Sequence, residues 1–382
     1  MLASLDKCSG CAACAAVCPQ NCISMIPDHE GFRYPKVDTQ KCVECRLCQR
    51  SCPILTKVEV FSGTTALAAK NNDTQVRQDS SSGGVFTALA EAILKQGGAV
   101  CAARYDADHS IVHSIAENQE ALSAFRGAKY AQSRAEHCFK PIQAMLQQGK
   151  PVLFVGTPCQ CAGLKAFLKE DYKQLLTVDM VCHGVPSPMV WQKYLQERSE
   201  MDANGVAVDA VNLRSKESGW SHYGYSVKIA YKNGSLYCVP QGEDPFMQGF
   251  VRNLYLRPSC ADCAFKGLQR CSDLTLGDFW GIWDLMPEFD DDRGVSLLLF
   301  HTEKGRKMWE EVCGGFDVCN VQLHDTVKQN PSVLISSAPH PLRQAFFESI
   351  KTNTVIGSIH SCLQTAEGKL SLLRRIWNRI RR

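Results

Sequence analysis

The chain has 382 residues and a formal net charge of +3; 45% of its residues are hydrophobic, 21% are charged and 21 are cysteines. This composition excludes a disordered chain and a short disulfide-rich scaffold, and no apolar run approaches the ~18–20 residues of a transmembrane helix. Residues 366–382 carry six basic residues and one acid, so the rest of the chain has a formal charge of −2 and gives no indication of nucleic-acid binding.

The cysteines are concentrated near the N-terminus, where nine of them lie in the first 52 residues. Residues 1–10 lack the basic and apolar pattern of a secretory signal. Reduced thiols at this density predict a cytoplasmic protein in which cysteines bind metal rather than form disulfides.

A four-cysteine motif, C-x2-C-x2-C-x3-C-P, occurs twice with a separation of 34 residues. It is typical of ferredoxins with two [4Fe–4S] clusters, in which three cysteines of each copy bind one cluster and the fourth binds the other. The predicted ligands of the first cluster are Cys8, Cys11, Cys14 and Cys52, and those of the second are Cys42, Cys45, Cys48 and Cys18. A zinc module is the alternative, although zinc-binding CxxC pairs usually lie ~15–20 residues apart. Cys22 lies outside both copies and is predicted to be a small core residue.

Short strands are predicted within this module at residues 22–26 and 32–38, which indicates an α+β, ferredoxin-like fold over residues 1–56. A polar, linker-like stretch follows at residues 70–75. Beyond it, strand-like and helix-like segments alternate, which predicts an α/β body with a mixed, partly parallel sheet. The body strands are predicted at residues 99–103, 111–115, 151–155, 175–181, 223–231, 236–240 and 295–300, and the clearest helices run from about residue 84 to 96 and end near residue 169.

A second candidate ligand set lies in the body. Two cysteines each follow a strand that is predicted to be buried. The carboxyl ends of parallel strands meet at one edge of a sheet, so these two cysteines would lie close together. A CxxC motif later in the chain would complete a set of four thiolates. The four are Cys159, Cys182, Cys260 and Cys263, and the rival candidates are Cys161 and Cys271. A third iron–sulfur cluster, a zinc site and a purely structural role all fit this spacing. The cysteines without ligand spacing are predicted to be small buried residues: Cys101, Cys138, Cys238, Cys313, Cys319 and Cys362.

The segment Ser80–Gly84 precedes the first predicted body helix, where hydroxyls, flexible backbone amides and the helix dipole together suit a phosphate or pyrophosphate. An ordinary N-cap and loop is the competing interpretation. No G-x-G-x-x-G follows a strand and no Walker motif is present, so a standard Rossmann NAD site is not predicted.

The C-terminal segment, residues 369–382, places apolar side chains on one face of a predicted helix and arginines on the other. The apolar positions are Leu370, Leu373, Ile376, Trp377 and Ile380, with Leu372 at the margin. This pattern is typical of an interfacial helix attracted to anionic lipid, which predicts a peripheral membrane contact. A helix docked on protein, with its arginines in solvent, is the alternative.

Several segments resemble the family of coenzyme F420 hydrogenase/dehydrogenase beta subunits. They are Ser80–Phe86 (SSSGGVF), Arg126–Ser133 (RGAKYAQS), Gly156–Leu164 (GTPCQCAGL), Val178–Pro188 (VDMVCHGVPSP) and Ser272–Ile282 (SDLTLGDFWGI). The fusion to a two-cluster ferredoxin module is also similar to that family. The resemblance, which extends to about residue 300, divides the body into a flavin-binding region at 57–145, a region with a third cluster at 146–335 and a helical basic tail at 336–382.

The resemblance implies an FAD-binding iron–sulfur oxidoreductase, and the motifs assign no catalytic residue. A flavin exchanges two electrons with a hydride carrier and single electrons with clusters, so it would stand between the two. The predicted partner is a redox protein or a small hydride-carrying cofactor, either the deazaflavin coenzyme F420 or another reduced cofactor. The alternative is a non-catalytic subunit that relays electrons to a partner enzyme.

The resemblance also implies site residues. By the family pattern, the third cluster would bind Cys159, Cys182, Cys260 and Cys263, although Cys161 and Cys271 depart from that pattern and leave the choice of ligands open. The residues implied to line the flavin are Ser81, Ser82, Gly83, Gly84, Lys129, Tyr130, Gln132 and Ser133.

Overall fold

The computed structural model describes residues 2–221 and 224–365. The helical tail predicted at residues 369–382, with its membrane contact, lies outside the described residues, as does position 223 at the start of the predicted hairpin.

Three sheets lie within the described residues. The N-terminal sheet pairs β1 (Ile23–Pro27) with β2 (Arg33–Val37). The main sheet contains β3 (Thr65–Asn71), β4 (Ala99–Tyr105), β5 (Ile111–Ala116), β6 (Val152–Val155), β7 (Leu175–Met180), β11 (Leu274–Asp278), β12 (Ser296–Phe300) and β13 (Phe316–Val321). The third sheet is formed by β8 (Val208–Ser215), β9 (Ser226–Tyr231) and β10 (Leu236–Pro240).

The helices surround these sheets. They are α1 (Ala13–Ala16), α2 (Leu47–Arg50), α3 (Thr74–Asp79), α4 (Val85–Lys95), α5 (Phe139–Gln147), α6 (Pro158–Leu168), α7 (Pro188–Ala203), α8 (Pro245–Val251), α9 (Ile282–Leu285), α10 (Glu303–Val312), α11 (Leu323–Lys328) and α12 (Arg343–Ser349). Residues 355–365 are also helical, and Pro258–Asp262 form a 3-10 turn. In the part of the chain that the structure describes, no helix is long and apolar enough to cross a bilayer.

The main sheet is mixed, as predicted. Its strand order is β13-β3-β12-β11-β7-β6-β4-β5. Strands β4, β6, β7 and β11 are parallel to their neighbours in the centre, whereas β5, β12, β3 and β13 pair antiparallel. The carboxyl ends of β6, β7 and β11 therefore meet at one edge, which is where ligands of α/β sheets bind.

Helices cover both faces of this sheet because its central strands are apolar on both sides. Leu153 and Leu176 pack in the core beneath α4, whereas Phe154 and Leu175 pack in a separate core with α5 and α6. Strands from the predicted regions 57–145 and 146–335 alternate in the same sheet. These two stretches of sequence thus share a single scaffold.

The linker predicted at residues 70–75 is wrong. Strand β3 continues to Asn71, and α3 begins at Thr74. The polar side chains there end a strand and cap a helix: the Asp73 carboxylate accepts hydrogen bonds from the backbone amides of Gln75 and Val76.

The six cysteines that show no metal-ligand spacing, and are therefore predicted to be buried, fall into two groups. Cys101, Cys138 and Cys362 are buried, which confirms the prediction, and Cys22 is buried as well. Cys238 is exposed, and Cys313 and Cys319 are partly exposed, so a core position is wrong for these three. Cys238 and Cys319 lie on edge strands β10 and β13, where alternate side chains face solvent.

The ferredoxin module packs on the body through α1 and α6. A Cβ placed on Gly163 of α6 would lie 2.7 Å from Cys11 Cβ and 3.0 Å from Cys11 Sγ. Cys11 itself shares a buried core with Cys161 and Leu164 of α6. The absent side chain at Gly163 is what allows the first cysteine loop to lie directly against this helix.

Replacing Gly163 with alanine should loosen the packing of the ferredoxin module on the body. Overpacking this close contact costs about 1–3 kcal/mol. That cost exceeds the ~1 kcal/mol by which alanine stabilises a helix relative to glycine. Thermal unfolding and trypsin cleavage in residues 57–64 would measure the effect. Gly314→Ala is the matched control, since nothing lies within 4 Å of a Cβ at that position. Equal stability and equal cleavage of the two variants would contradict the prediction.

Candidate iron–sulfur and flavin sites

The two copies of the cysteine motif have the same backbone shape. Ala12 and Arg46, at equivalent positions, are both left-handed with φ of 65° and 59°, although neither is glycine. Each is followed by one helical turn, α1 or α2. Left-handed and right-handed residues in succession turn backbone amides toward a common concave face, a shape used by anion and iron–sulfur sites. The sequence repeat is thus also a structural repeat.

Four cysteines of the module line one cavity. We name Cys8, Cys11, Cys14 and Cys52 the inner quartet. The remaining lining is almost entirely apolar: Leu2, Ala3, Ser9, Ala12, Met25, Pro35 and Ile54. The structure therefore brings the four predicted ligands of the first cluster to a single apolar cavity.

Two buried hydroxyls beside the inner quartet lack hydrogen-bond partners. Ser9 Oγ follows Cys8, and Ser51 Oγ precedes Cys52; neither finds an acceptor within the described residues. Buried hydroxyls are normally hydrogen-bonded. A cluster held by these thiolates would provide sulfur acceptors, so the orphaned hydroxyls fit the presence of such a group.

The second set of predicted ligands is more open to solvent. We name Cys18, Cys42, Cys45 and Cys48 the outer quartet. Cys18, Cys42 and Cys48 pack in one small cluster, and Cys45 interacts electrostatically with Cys48. Residues 43–46 are all exposed, whereas the equivalent stretch of the first copy is buried or half-buried. Cys22 also lies here, with its Sγ 3.3 Å from Cys18 Sγ.

The body cysteines also come together. We name Cys159, Cys182, Cys260 and Cys263 the body quartet. Every pair among these four thiols interacts electrostatically, although they come from α6, the end of β7 and the Pro258–Asp262 turn. The Val185 amide donates to Cys260 Sγ at 3.4 Å. Strands β6 and β7 are parallel, so the edge that sequence reasoning identified does place these cysteines together.

The rival cysteines lie in the core beneath the sheet. Cys161 and Cys271 interact electrostatically with each other and with Asp179, and Cys161 also interacts with Cys159 of the body quartet. Cys161 Sγ lies 3.7 Å from the carbonyl oxygen of Val178. The surroundings of both thiols are therefore those of core residues.

Burial makes the ligand thiols hard to ionise without a cation. It raises the pKa of Cys14, Cys159, Cys182 and Cys260 each to about 12. Metal ligation requires thiolates, so the positive charge of bound iron would have to displace the protons. Such buried, mutually repelling thiols are stable as thiolates only around a positively charged centre.

The spacing of the thiols bears on which group they could hold. No three His, Cys, Asp or Glu side chains within residues 2–221 and 224–365 converge closely enough for a single metal ion. Tetrahedral zinc, with Zn–S of about 2.3 Å, needs thiolates about 4 Å apart. A cubane cluster binds each thiolate to a different iron and spreads them farther. The two kinds of site thus differ in the spacing of the thiolates that they require.

The three quartets are arranged in series. Cys11 of the inner quartet interacts electrostatically with Cys159 of the body quartet. Cys14 of the inner quartet interacts in the same way with Cys48 of the outer quartet. The inner quartet thus lies between the other two.

The Ser-Gly-Gly segment forms a tight turn before α4. The Gly83 amide donates to Ser296 Oγ at 2.9 Å, and a Cβ at Gly83 would collide with the Ala69 carbonyl. Gly84 is left-handed, with φ of 87°, at the N-cap of α4. Ser82 Oγ donates to the Val295 carbonyl at 2.9 Å. The two glycines are therefore needed for the turn itself.

One buried arginine joins two of the implied flavin segments. Arg214 donates to both carboxylate oxygens of Asp278, at 2.8 and 3.1 Å. Its guanidinium also donates to the Ser81 carbonyl and to the Tyr130 hydroxyl, each at 3.3 Å. Asp278 ends β11 at the same sheet edge as the body quartet. Ser81 and Tyr130, distant in sequence, are thus held at one place.

Two amines near this place are held by backbone oxygens alone. Lys129 Nζ donates to the carbonyls of residues 125, 126 and 127, and Lys216 Nζ to those of residues 77, 82 and 293. Neither forms an ion pair within the described part of the chain. Burial lowers the pKa of each amine to about 7.

The other two implied flavin residues contact the segments that carry the cysteines. Gln132 donates to the Gly10 carbonyl at 3.3 Å and accepts from Arg257 at 2.9 Å. Ser133 Oγ accepts from Gln160 of α6 at 2.8 Å. The segment from Lys129 to Ser133 therefore connects the Ser-Gly-Gly turn with the cysteine loops.

Sequence reasoning missed Arg214, Lys216, Arg257 and Gly163. Each acts through a contact with a residue far away in the chain, so no local spacing identifies its role. Gly163 and Asp278 lie inside segments that carry the family resemblance, and this was the available signal for them.

Known proteins with similar sequences include an oxidoreductase subunit and a ferredoxin-like protein. The chain is 24% identical over 194 residues to an F(420)H(2) dehydrogenase subunit of Methanosarcina mazei, a match that covers 46% of this chain and 53% of that protein. It spans about half the length of that relative. A 59-residue stretch is 37% identical to an uncharacterized polyferredoxin-like protein of Methanocaldococcus jannaschii, covering 13% of this chain and 35% of that one. Among solved structures, a chain of the xenon-derivatized F420-reducing [NiFe] hydrogenase complex from Methanosarcina barkeri aligns over 81% of this chain and 93% of its own length, with 18% identity and a TM-score of 0.46.

Family models match most of the chain in consecutive blocks. Residues 7–55 match the 4Fe-4S dicluster domain. Residues 66–139 match the N-terminal part of the coenzyme F420 hydrogenase/dehydrogenase beta subunit, and residues 149–317 match its C terminus. The chain therefore belongs to the family of coenzyme F420 hydrogenase/dehydrogenase beta subunits and carries a 4Fe-4S dicluster domain ahead of the family's own domains.

Proposed function

We propose that the chain is an iron–sulfur flavoprotein oxidoreductase that passes electrons between a hydride carrier, FAD and three [4Fe–4S] clusters. The inner, outer and body quartets would each hold one cluster. The hydride carrier is coenzyme F420 or another reduced cofactor; the M. mazei relative, whose name includes F(420)H(2) dehydrogenase, supports the first.

The observation that carries this proposal is the contact between Cys11 and the helix that bears Cys159. Gly163 of that helix leaves room for Cys11, and the two cysteines interact electrostatically. Without this contact, the module and the body would be two separate redox proteins. With it, the three thiol sets form a continuous series from the sheet edge to the outer loop.

The sheet edge next to the body quartet supports the flavin part of the proposal. Arg214 and Lys216 bring positive charge to the Ser81–Gly84 turn, where an anionic pyrophosphate would be favoured, and Lys129 precedes Tyr130, whose hydroxyl Arg214 contacts. FAD, when bound, would exchange electron pairs with a hydride carrier and single electrons with a cluster. The chain's own contribution is to orient the cofactor through Tyr130 and to exclude water with the surrounding core.

The exposed loop of the outer quartet supports an exchange with a second protein. Val43 is 62% exposed, and Glu44, Cys45 and Arg46 beside it are exposed as well. An apolar side chain at the centre of a charged rim is typical of transient electron-transfer contacts. Electrons would enter or leave the series at this loop.

The alternative function is a relay subunit without its own hydride substrate, and the same exposed loop favours it. Anaerobic purification with iron, sulfide and flavin counts would test the cofactor content of both. Titration with reduced deazaflavin, NAD(P)H and reduced ferredoxin would then separate them. Reduction by a small hydride donor supports the enzyme, whereas reduction by protein donors alone supports the relay.

Replacing Cys182 with serine should remove the body cluster and reduce the iron content from about 12 to about 8 atoms per chain, since each cluster contains four. Cys271→Ser is the matched control, because this buried thiol faces the core, and it should keep about 12. Iron and acid-labile sulfide analysis of the anaerobically purified variants would measure both. Equal iron in the two variants would refute the ligand assignment of Cys182.

Flavin retention should weaken as pH rises. Burial lowers the pKa of Lys129 and of Lys216 to about 7, so each amine is charged below that pH and loses its charge above it. Each amine donates its three N–H groups to backbone carbonyls, so its charge attracts a pyrophosphate through space, and this attraction is lost when the amine is neutral. We expect flavin affinity to be about tenfold lower at pH 9 than at pH 6.

Fluorescence of the flavin released into the filtrate at each pH would measure this dependence. Lys216→Met should lower flavin affinity at pH 6 and flatten the pH profile. Lys228→Met is the control, because this exposed amine pairs with Glu217 outside the site. A Lys216→Met profile as steep as that of the native chain would contradict the role of this amine.

Substitutions in the outer loop should slow exchange with proteins selectively. Val43→Asp and Arg46→Glu change the exposed surface without touching a thiol, so we expect about tenfold slower reduction by a soluble [2Fe–2S] ferredoxin. Reduction by methyl viologen, which needs no docking surface, should be unchanged. Lys232→Glu on the distant hairpin is the control. Equal slowing with both reductants would show that the variants damage the cluster instead.

A further inference from the structure

Arg257 lies between the inner quartet and the body quartet. It precedes Cys260 by three residues, and it is 1% exposed. Its Nε donates to the Cys8 carbonyl at 2.8 Å, and its Nη2 donates to the Arg33 carbonyl at 3.1 Å. Its Nη1 donates to Gln132 Oε1 at 2.9 Å. One side chain thus ties the first cysteine loop to the segment that carries Cys260.

All three acceptors of Arg257 are neutral oxygens. Within the described residues, no carboxylate forms an ion pair with it. Its other close neighbours are aromatic: the guanidinium lies 4.2 Å from the centre of the Tyr34 ring and 5.6 Å from that of Phe32. A buried cation without an anionic partner is strongly unfavourable.

Two other arginines, the half-buried Arg343 and the buried Arg77, each pair with a carboxylate. Arg343 donates to Glu30 Oε1 at 2.8 Å, and Arg77 donates to Asp291 Oδ2 at 2.7 Å. Arg343 is a near neighbour of Arg257, because its Nε donates to the Leu256 carbonyl at 3.0 Å. The missing carboxylate at Arg257 is therefore a local feature of the junction between the two quartets.

The anions available to pair with Arg257 are the cysteine thiolates of the inner and body quartets. The Cys260 amide donates to the Arg257 carbonyl at 3.0 Å, and the Arg257 amide donates to the carbonyl of Val185, whose own amide donates to Cys260 Sγ. These bonds place Arg257 beside the body quartet, and the contact of its guanidinium with the Cys8 carbonyl places its charge at the inner quartet. A [4Fe–4S] cluster with four thiolates carries about −2 when oxidised and about −3 when reduced.

We propose that Arg257 is the shared counter-charge of the inner and body clusters, raising the reduction potentials of both and fixing their separation. This inference rests on the proposed function. A fixed positive charge stabilises the reduced cluster more than the oxidised one, because one-electron reduction adds a negative charge. Lys266, which donates to the Cys182 carbonyl, adds charge on the body side alone. Arg257 is a positioning residue that acts on both.

The test is an EPR-monitored redox titration of the full chain carrying Arg257→Gln, which removes the charge but keeps an amide donor. The one-electron reduction equilibria of the inner and body clusters should each shift at least about tenfold toward the oxidised form, which is about 59 mV for one electron. The outer cluster, which lies beyond the inner one, should keep its potential and serves as an internal reference.

Two further variants separate charge from packing. Arg257→Lys keeps the charge with fewer donors and should retain potentials close to those of the native chain. Arg343→Gln, the matched control, should leave all three potentials unchanged. Unchanged inner and body potentials in Arg257→Gln, an equal shift of all three clusters, or an Arg257→Lys shift as large as that of Arg257→Gln would each overturn the proposal.

Iron content distinguishes this inference from the proposed function. A native chain with fewer than about 12 irons would contradict the three-cluster assignment itself. A native chain and an Arg257→Gln variant that both hold about 12, with identical potentials, would leave that assignment in place and remove only the role of Arg257.

Discussion

The close approach of the first cysteine loop to α6 is the constraint on which the rest of the arrangement depends. The rate of electron transfer between buried centres falls steeply with distance. A module that was joined to the body only by a flexible linker would therefore not form a relay with it. Here a missing side chain at Gly163 admits Cys11, and the same helix begins with Cys159. The helix is held in place by Thr157 and Gln160, which cap each other at its N-terminus. The geometry of the proposed relay is thus built into the packing of one helix.

The two copies of the cysteine motif show how one local fold can serve two roles. Both copies share the left-handed residue and the single helical turn, since these follow from the motif itself. Their surroundings differ because the residues between the cysteines differ: Ala12 and Ala16 are buried, whereas the equivalent Arg46 and Arg50 are exposed. Small residues suit the copy that packs on the body, and charged ones suit the copy that faces solvent.

The features that the sequence made predictable are local ones. Cysteine spacing along the chain indicated the inner and outer ligand sets, and apolar runs indicated the central strands with their shared edge. The features that it did not reveal depend on tertiary contacts. Arg257 meets the Cys8 carbonyl across 249 residues of sequence, so no window of sequence contains both. The wrong linker prediction at residues 70–75 arose from a local pattern that has two meanings. The polar residues that end a strand and cap a helix are the same types that occur in linkers, because both hydrogen-bond to free backbone groups.

Charge gives a second line of argument that is independent of cysteine spacing. Lys129, Lys216, Arg257 and Lys266 are held by carbonyl or amide oxygens rather than carboxylates. Lys216 borders the Ser-Gly-Gly turn, Lys266 the body quartet and Arg257 the inner quartet, whereas Arg343 has its own carboxylate. Leaving cations unpaired is costly in a protein that binds nothing there. In a protein that stores electrons at buried centres, the same positive charge stays available to compensate each added electron.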